Sequence, residues 1–437
     1  MRDWTTRALS ELADIRISNV DKKSVAGEKP VRLCNYMDAY SNDYIRSDIE
    51  FMEATASASE IARFSVTAGD VVLTKDSETP DDIGIPAVIM DQFDDVVCGY
   101  HLALLKTKQE LVDPVFLCKQ LGTSRAAQYF GQRATGSTRY GLPNRALATF
   151  QIPVPPLAVQ RTIARVLQTI DTAIEKTEAL IAKHQQIKAG LMHDLFTRGA
   201  LPNGQLRPPR SEAPELYQET ALGWIPRDWQ VVALHECLSS SPKNGYSPRE
   251  SDTWEGFYVL GLGCLTKDGF EARQLKNAPK AAATLREAQL EVGDLLISRA
   301  NTPELVGLCG VFPGLDSPTI YPDLMMRLSL RQTMDKHFLE AQLLLPETRS
   351  RLTALAVGTS SSMAKLNATS INKFPVLLPS VEEQRLILNR SLVVVEVIRS
   401  AKAALEKLTR QKLGLMQDLL TGRVPVPAPP EPAEAVA

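Results

Sequence analysis

A repeat at one fixed spacing constrains this chain more than any other feature of its sequence. Gly69-Asp70-Val71-Val72-Leu73-Thr74-Lys75 is answered 224 residues later by Gly293-Asp294-Leu295-Leu296-Ile297-Ser298-Arg299. Pro155, Gln160 and Arg161 fall on Pro379, Gln384 and Arg385 at the same offset. Lys188, Gly190-Leu191-Met192, Asp194-Leu195 and Thr197 fall on Lys412, Gly414-Leu415-Met416, Asp418-Leu419 and Thr421. Arg2-Asp3-Trp4 answers Arg227-Asp228-Trp229 with one residue of slippage. Three separated segments in one register, with a fourth one residue off it, identify a tandem duplication.

Each repeat has a mixed front part and a helical back part. Short β-rich runs at 71–74, 87–90 and 295–298 alternate with helical stretches and Gly, Pro and Asp turns. The back parts carry a heptad seam. Ile163, Leu167, Ile170, Ile174, Thr177, Ile181, His184, Lys188, Leu191 and Leu195 step alternately by four and three. Ile387, Ser391, Val394, Ile398, Ala401, Leu405, Leu408, Lys412, Leu415 and Leu419 repeat those steps. Such spacing predicts coiled-coil helices of roughly 60 Å. Two matched helices in one chain suit each other as antiparallel partners; the alternative is that each packs on a separate partner chain. The polar seam residues His184, Ser391 and Lys412 are expected to register or weaken the pair.

The expected fold class is α+β, with mixed front domains at 1–155 and 227–377. Long helices follow at 156–198 and 378–423. The Pro-, Gly- and polar-rich stretch 199–226 reads as a linker, and 424–437 as a disordered tail.

A net charge of −2 argues against a uniformly basic nucleic-acid binder. The charge is unevenly spread. No Asp or Glu occurs from Pro114 to Ile170, whereas Lys119, Arg125, Arg133, Arg139, Arg145, Arg161 and Arg165 do. From Thr348 to Val381 there is again no acid, with Arg349, Arg351, Lys365 and Lys373 present. Small hydroxyls stand beside glycine in both segments, at Gly136-Ser137-Thr138-Arg139-Tyr140 and at Gly358-Thr359-Ser360-Ser361-Ser362. Hydroxyls, amides and Arg are what phosphate oxygens accept hydrogen bonds from. A second loop follows the Gly-Asp strand, carrying Lys75 in one repeat and Arg299 and Asn301 in the other. Candidate DNA contacts are therefore Lys75, Arg133, Ser137, Thr138, Arg139 and Tyr140, with Arg299, Asn301, Ser361, Ser362 and Lys365. Solvated polar loops are the alternative reading of the same residues.

Catalytic motifs are missing. There is no Walker-type loop, no Gly-x-Ser-x-Gly elbow, and His235-Glu236 lacks the second histidine of a zinc-protease helix. The acid pairs Asp81-Asp82, Asp94-Asp95 and Glu382-Glu383 have no metal-ligand partners in sequence and read as surface charge. Six scattered cysteines, no signal peptide and no membrane-length apolar run predict a cytoplasmic protein away from membranes.

At this point the chain resembles a known family, the DNA-specificity subunits of type I restriction–modification systems. The linking phrase from Pro155 to Arg161, the terminal phrases around Gly190-Leu191-Met192 and Gly414-Leu415-Met416, and Leu222-Gly223-Trp224-Ile225-Pro226 carry the likeness. The resemblance implies two target recognition domains, each reading half of a bipartite, asymmetric site in double-stranded DNA, with the helices as a ruler. It implies docking of two methyltransferase subunits and of motor-nuclease subunits. S-adenosylmethionine, ATP and Mg²⁺ would be used by those partners, and no cofactor or metal by this chain, which would be a non-catalytic subunit. A competing reading is a coiled-coil protein-interaction adaptor without DNA readout.

Overall fold

The computed structural model describes residues 4–279, 283–357 and 363–427. Residues 428–437 of the expected tail, and the loop carrying Ser361 and Ser362, lie outside the described residues.

The chain divides into two compact units, residues 1–179 with 402–437, and residues 180–401. The cuts fall inside the central helix (Leu157–Arg198) and the distal helix (Val381–Leu419). Each unit therefore holds one end of both helices.

In the first unit a five-stranded sheet runs in the order Ala13–Ile17, Leu102–Thr107, Val71–Thr74, Pro86–Ile89, Tyr44–Ile45. A three-stranded sheet (Met52–Ala56, Lys29–Cys34, Val96–Cys98) lies beside it in the fold. The uninterrupted apolar run Val71-Val72-Leu73 needs burial on both sides of the strand, and it has that. Val71 and Leu73 enter one core with Leu9, Phe116, Phe130 and Ile152, while Val72 enters the other with Leu33, Phe64 and Leu104. The second unit repeats the division. Leu295 and Ile297 face one core, and Leu296 faces the other, from a four-stranded sheet ordered Lys243–Asn244, Met325–Leu328, Leu295–Ser298, Cys309–Val311.

The helices pair with each other and run antiparallel. Ile163 and Leu167, near the start of the central helix, share a core with Leu415, Leu419 and Leu420 at the end of the distal one. In the second unit Leu191, Leu195 and Phe196 share a core with Leu386, Ile387 and Leu388. Every seam position named from the sequence is buried or half-buried, including Ile170, Ile174, Ile181, Val394, Ile398, Leu405 and Leu408. Ser391 costs the seam little, because its hydroxyl donates to the Leu388 carbonyl at 2.8 Å. His184 is half-buried.

The repeated motifs act as joints between domain and helix. Gln160 is fully buried; its amide donates to the Leu111 and Pro155 carbonyls (3.1 and 2.8 Å) and accepts from the Asp113 N–H (2.9 Å). Gln384 does the same with Thr333, Pro379 and Asp335 (2.9, 3.0 and 2.7 Å). Asp113 and Asp335 also cap equivalent domain helices, Pro114–Leu121 and Lys336–Leu343. One glutamine thus satisfies backbone groups that would otherwise be buried without partners.

The opening tryptophans close each unit. Trp4 packs on Gly422 and Trp229 on Gly199, and both glycines sit in the left-handed region that ends a helix (φ 68° and 67°). A Cβ would meet the indole at 3.2 Å in one case and 2.8 Å in the other.

The stretch 199–226, expected as a linker, is folded. It contains the hairpin Tyr217–Thr220 with Gly223–Pro226, and it buries Ala200, Arg207, Ala213, Tyr217 and Ile225. Its polar composition hid this, because Arg207 is buried by pairing with Glu383, which the sequence placed on the surface.

Gly190 and Gly414 occupy helix interiors where a Cβ would meet nothing within 4 Å. Replacing either by Ala is expected to stabilise the free chain by roughly 0.5–1 kcal/mol, since glycine loses more backbone freedom on folding. A lower midpoint in thermal unfolding of Gly190→Ala would contradict this.

Candidate nucleic-acid interface

Each repeat brings its two polar loops together. In the first unit Asp76–Ser77 pairs antiparallel with Tyr140–Gly141, Tyr140 opposite Ser77. In the second, Ala300–Asn301 pairs with Ala364–Lys365, Asn301 opposite Ala364. Positions 76 and 140 become 300 and 364 on adding 224, so the ribbon is the same device made twice. It starts where the doubly buried strand leaves the sheet, which fixes its base to the core.

The candidate residues divide by what this ribbon does to them. Arg133, Ser137, Thr138 and Arg139 are exposed on the segment leading into Tyr140, which is half-buried. Arg133 lies over the Tyr129 ring at 3.7 Å and donates to its carbonyl at 3.3 Å, so its guanidinium is oriented. Lys75 is turned inward: its ammonium meets Asp76 Oδ2 at 2.9 Å and lies 5.1 Å from the Tyr100 ring centroid. Its charge is neutralised within the domain. In the second unit Lys365 is exposed, and half-buried Arg299 donates to the Asp323 carbonyl at 3.3 Å. Asn301 Oδ1 accepts from the Thr302 N–H at 2.9 Å.

Other cations of the acid-free segments are structural. Lys119 is buried beside Asp43 and Asp171. Arg349 and Arg351 are half-buried, and burial lowers the pKa of both guanidinium groups. The missing acids therefore mark a surface in part and a domain–helix junction in part.

Beside the first ribbon lies an open concavity of about 820 Å³ lined by Asp76, Ser77, Glu78, Thr79, Asp82, His101 and Arg139, with Tyr36 and Tyr40 across it. The two tyrosine rings stack at 5.5 Å. His101 Nδ1 lies 3.0 Å from Asp76 Oδ2. Burial raises the Asp38 carboxyl above its ordinary pKa, against a hydrogen bond from the Asn35 N–H. The exposed guanidinium of Arg139 suits phosphate or guanine, whereas the carboxylates repel phosphate and suit amino-group donors such as cytosine N4. Sequence reading missed the tyrosines and His101, which come from two separate segments with no shared motif.

Residues 1–184 match the family model described as the type I restriction modification DNA specificity domain. The first repeat is thus similar to the type I DNA-specificity domain. The chain is 24% identical over 421 residues to the type I restriction enzyme MjaVIII specificity subunit of Methanocaldococcus jannaschii, covering 92% of this chain and 91% of that one. It is 26% identical over 271 residues to the EcoKI specificity subunit of Escherichia coli, covering 61% and 54%. The fold is similar to the crystal structure of the type I specificity subunit from M. genitalium, with a TM-score of 0.57, 16% identity, and 95% and 96% of the two chains covered. A structure described as bearing on complex assembly and conformational transition of the type I system has a TM-score of 0.51 at 17% identity, covering 97% and 99%. This chain is a tandem duplication of α+β domains with a pair of antiparallel helices. Among its described residues, no helix is long and apolar enough to cross a membrane.

Proposed function

We propose that this chain is the specificity subunit of a type I restriction–modification complex and reads a bipartite, asymmetric site in double-stranded DNA, one half with each recognition domain. The observation that carries the reading is the duplicated ribbon, which presents Ser137, Thr138 and Arg139 in one unit and Lys365 in the other from the same place in the fold. The domains agree at the joints and differ at the ribbon residues, which suits two different half-sites. The paired helices space the domains and dock two methyltransferase subunits, with motor-nuclease subunits joining them. Methyl transfer from S-adenosylmethionine and cleavage with ATP and Mg²⁺ belong to those partners, and this chain contributes recognition and assembly in the cytoplasm.

Selection from a random duplex library, with this chain alone and with its co-purified methyltransferase partner, tests the reading. A two-part motif with a fixed gap is the expected result. Affinity should fall steeply with salt if several phosphates are neutralised. Folded protein that enriches no sequence in either sample would leave the protein-interaction adaptor as the better account. Within a DNA reader, Arg139→Ala should weaken binding severalfold on all sequences and reduce the salt slope by about 1, as for one lost phosphate contact. A loss of preference at a single base pair would instead make Arg139 a base reader.

A further inference from the structure

Both long helices carry a lysine where the seam calls for an apolar residue, and in each repeat it meets an acid of a recognition domain. Lys412 Nζ lies 2.7 Å from Asp171 Oδ1 on the central helix and 3.0 Å from Asp43 Oδ2. Asp43 immediately precedes the edge strand Tyr44–Ile45 of the recognition domain. Lys119, from the domain helix Pro114–Leu121, reaches the same two carboxylates at 2.7 and 2.8 Å, and the Tyr44 hydroxyl donates to Asp171 Oδ2 at 2.7 Å. The side chains of Lys119 and Asp171 are each 4% exposed. Two cations and two anions thus form a neutral cluster where both helices and the recognition domain meet.

The other repeat keeps the outline of this arrangement. Lys188, the counterpart of Lys412, donates to Asp268 Oδ1 at 3.1 Å. Asp268 lies one residue from the position that answers Asp43, in the turn between Leu265–Thr266 and Gly269–Phe270. Val395 and Leu343 stand where Asp171 and Lys119 stand in the first repeat, so those two charges are not repeated at the equivalent positions.

Apolar residues would fill the seam without the desolvation cost of buried charge, and a pair or cluster of this kind does not add stability over them. What a lone charged seam residue supplies is register, because only one alignment satisfies it. We propose that Lys412 and Lys188 are positioning residues that fix how each recognition domain is held on the helix pair, and so determine which gap between half-sites is accepted. The first domain, held by four charges, is held more stiffly than the second. This inference rests on the bipartite reading above.

The test uses the full chain with its co-purified methyltransferase subunits and duplexes carrying both selected half-sites, with the gap varied by one base pair either way. Lys412→Met should keep the base preference of each half-site but lower the discrimination between gaps by roughly tenfold, the scale expected when a coupled contact is lost. Lys188→Met should have a smaller effect of the same kind, and Lys412→Arg should recover most of the loss. Folded Lys412→Met with gap discrimination equal to the unmutated chain would overturn the proposal. Should that variant fail to fold, Lys412→Met with Asp43→Asn leaves a neutral Lys119–Asp171 pair and faces the same criterion. If the unmutated chain selects no two-part site, the bipartite reading itself is wrong, and the inference falls with it.

Discussion

Removing one heptad from both long helices should shorten the accepted gap between half-sites by about 3 bp. Seven residues of helix span roughly 10 Å, and base pairs stack at about 3.4 Å. The seam survives the deletion, because its steps of four and three repeat every seven residues. Rotation does not match so well. Three base pairs turn a half-site by about a third of the 10–10.5 bp helical repeat, while a heptad shifts the seam by only about 20°. Binding should therefore weaken as the gap shortens, with the DNA or the domains twisting to compensate. Selection on the deletion variant reads both effects together. An unchanged gap would remove the helices from any role as spacer.

Breaking the buried pair between Arg207 and Glu383 should be the most damaging substitution in the second unit. The two side chains are 7% and 8% exposed. Arg207 Nη1 bonds to Glu383 Oε1 and Nη2 to Glu383 Oε2, and Nη2 also reaches Asp228 Oδ2 at 2.7 Å. Glu383 Oε1 further accepts from the Ala200 N–H at 2.8 Å. Burial alone would lower the Arg207 pKa, but Glu383 and Asp228 outweigh it and the group stays charged. The pair joins the segment after the central helix to the start of the distal one. Arg207→Met strands the buried Glu383 carboxylate and should cost about 3–5 kcal/mol, whereas Glu383→Leu leaves Arg207 its Asp228 contact and should cost less. The double variant Arg207→Met/Glu383→Leu should regain most of the Arg207→Met loss, since neither charge is left behind. Urea unfolding of the three variants decides the matter. A loss of less than about 1 kcal/mol in Arg207→Met would mean that water reaches the pair.

Much of this architecture is legible in the sequence because duplication and heptad spacing are local patterns. The run Val71-Val72-Leu73 and the seam from Ile163 to Leu195 each state their own need for burial. Gln160 and Gln384 were visible as repeated letters, but their task depends on carbonyls about fifty residues away. Within the candidate interface, the exposed turn from Arg133 to Arg139 was readable from its hydroxyls and missing acids. The inward turn of Lys75 was not, since Asp76 and the Tyr100 ring face it only after the sheet has formed.

From sequence alone came the duplication, the α+β class and the expectation of paired helices, which follow from patterns along the chain, and a family likeness carried by the quoted motifs. The tertiary structure alone decided which charges are buried and what they hold. Glu383 read as surface beside Glu382, the stretch around Arg207 read as linker, and Lys119 read as part of a basic surface. Each is neutralised by partners far away in the chain, 176 residues for Arg207 with Glu383 and 76 for Lys119 with Asp43. A charge can be buried only where its counter-charge is held beside it, and neighbours in space are set by the fold rather than by neighbours in the chain.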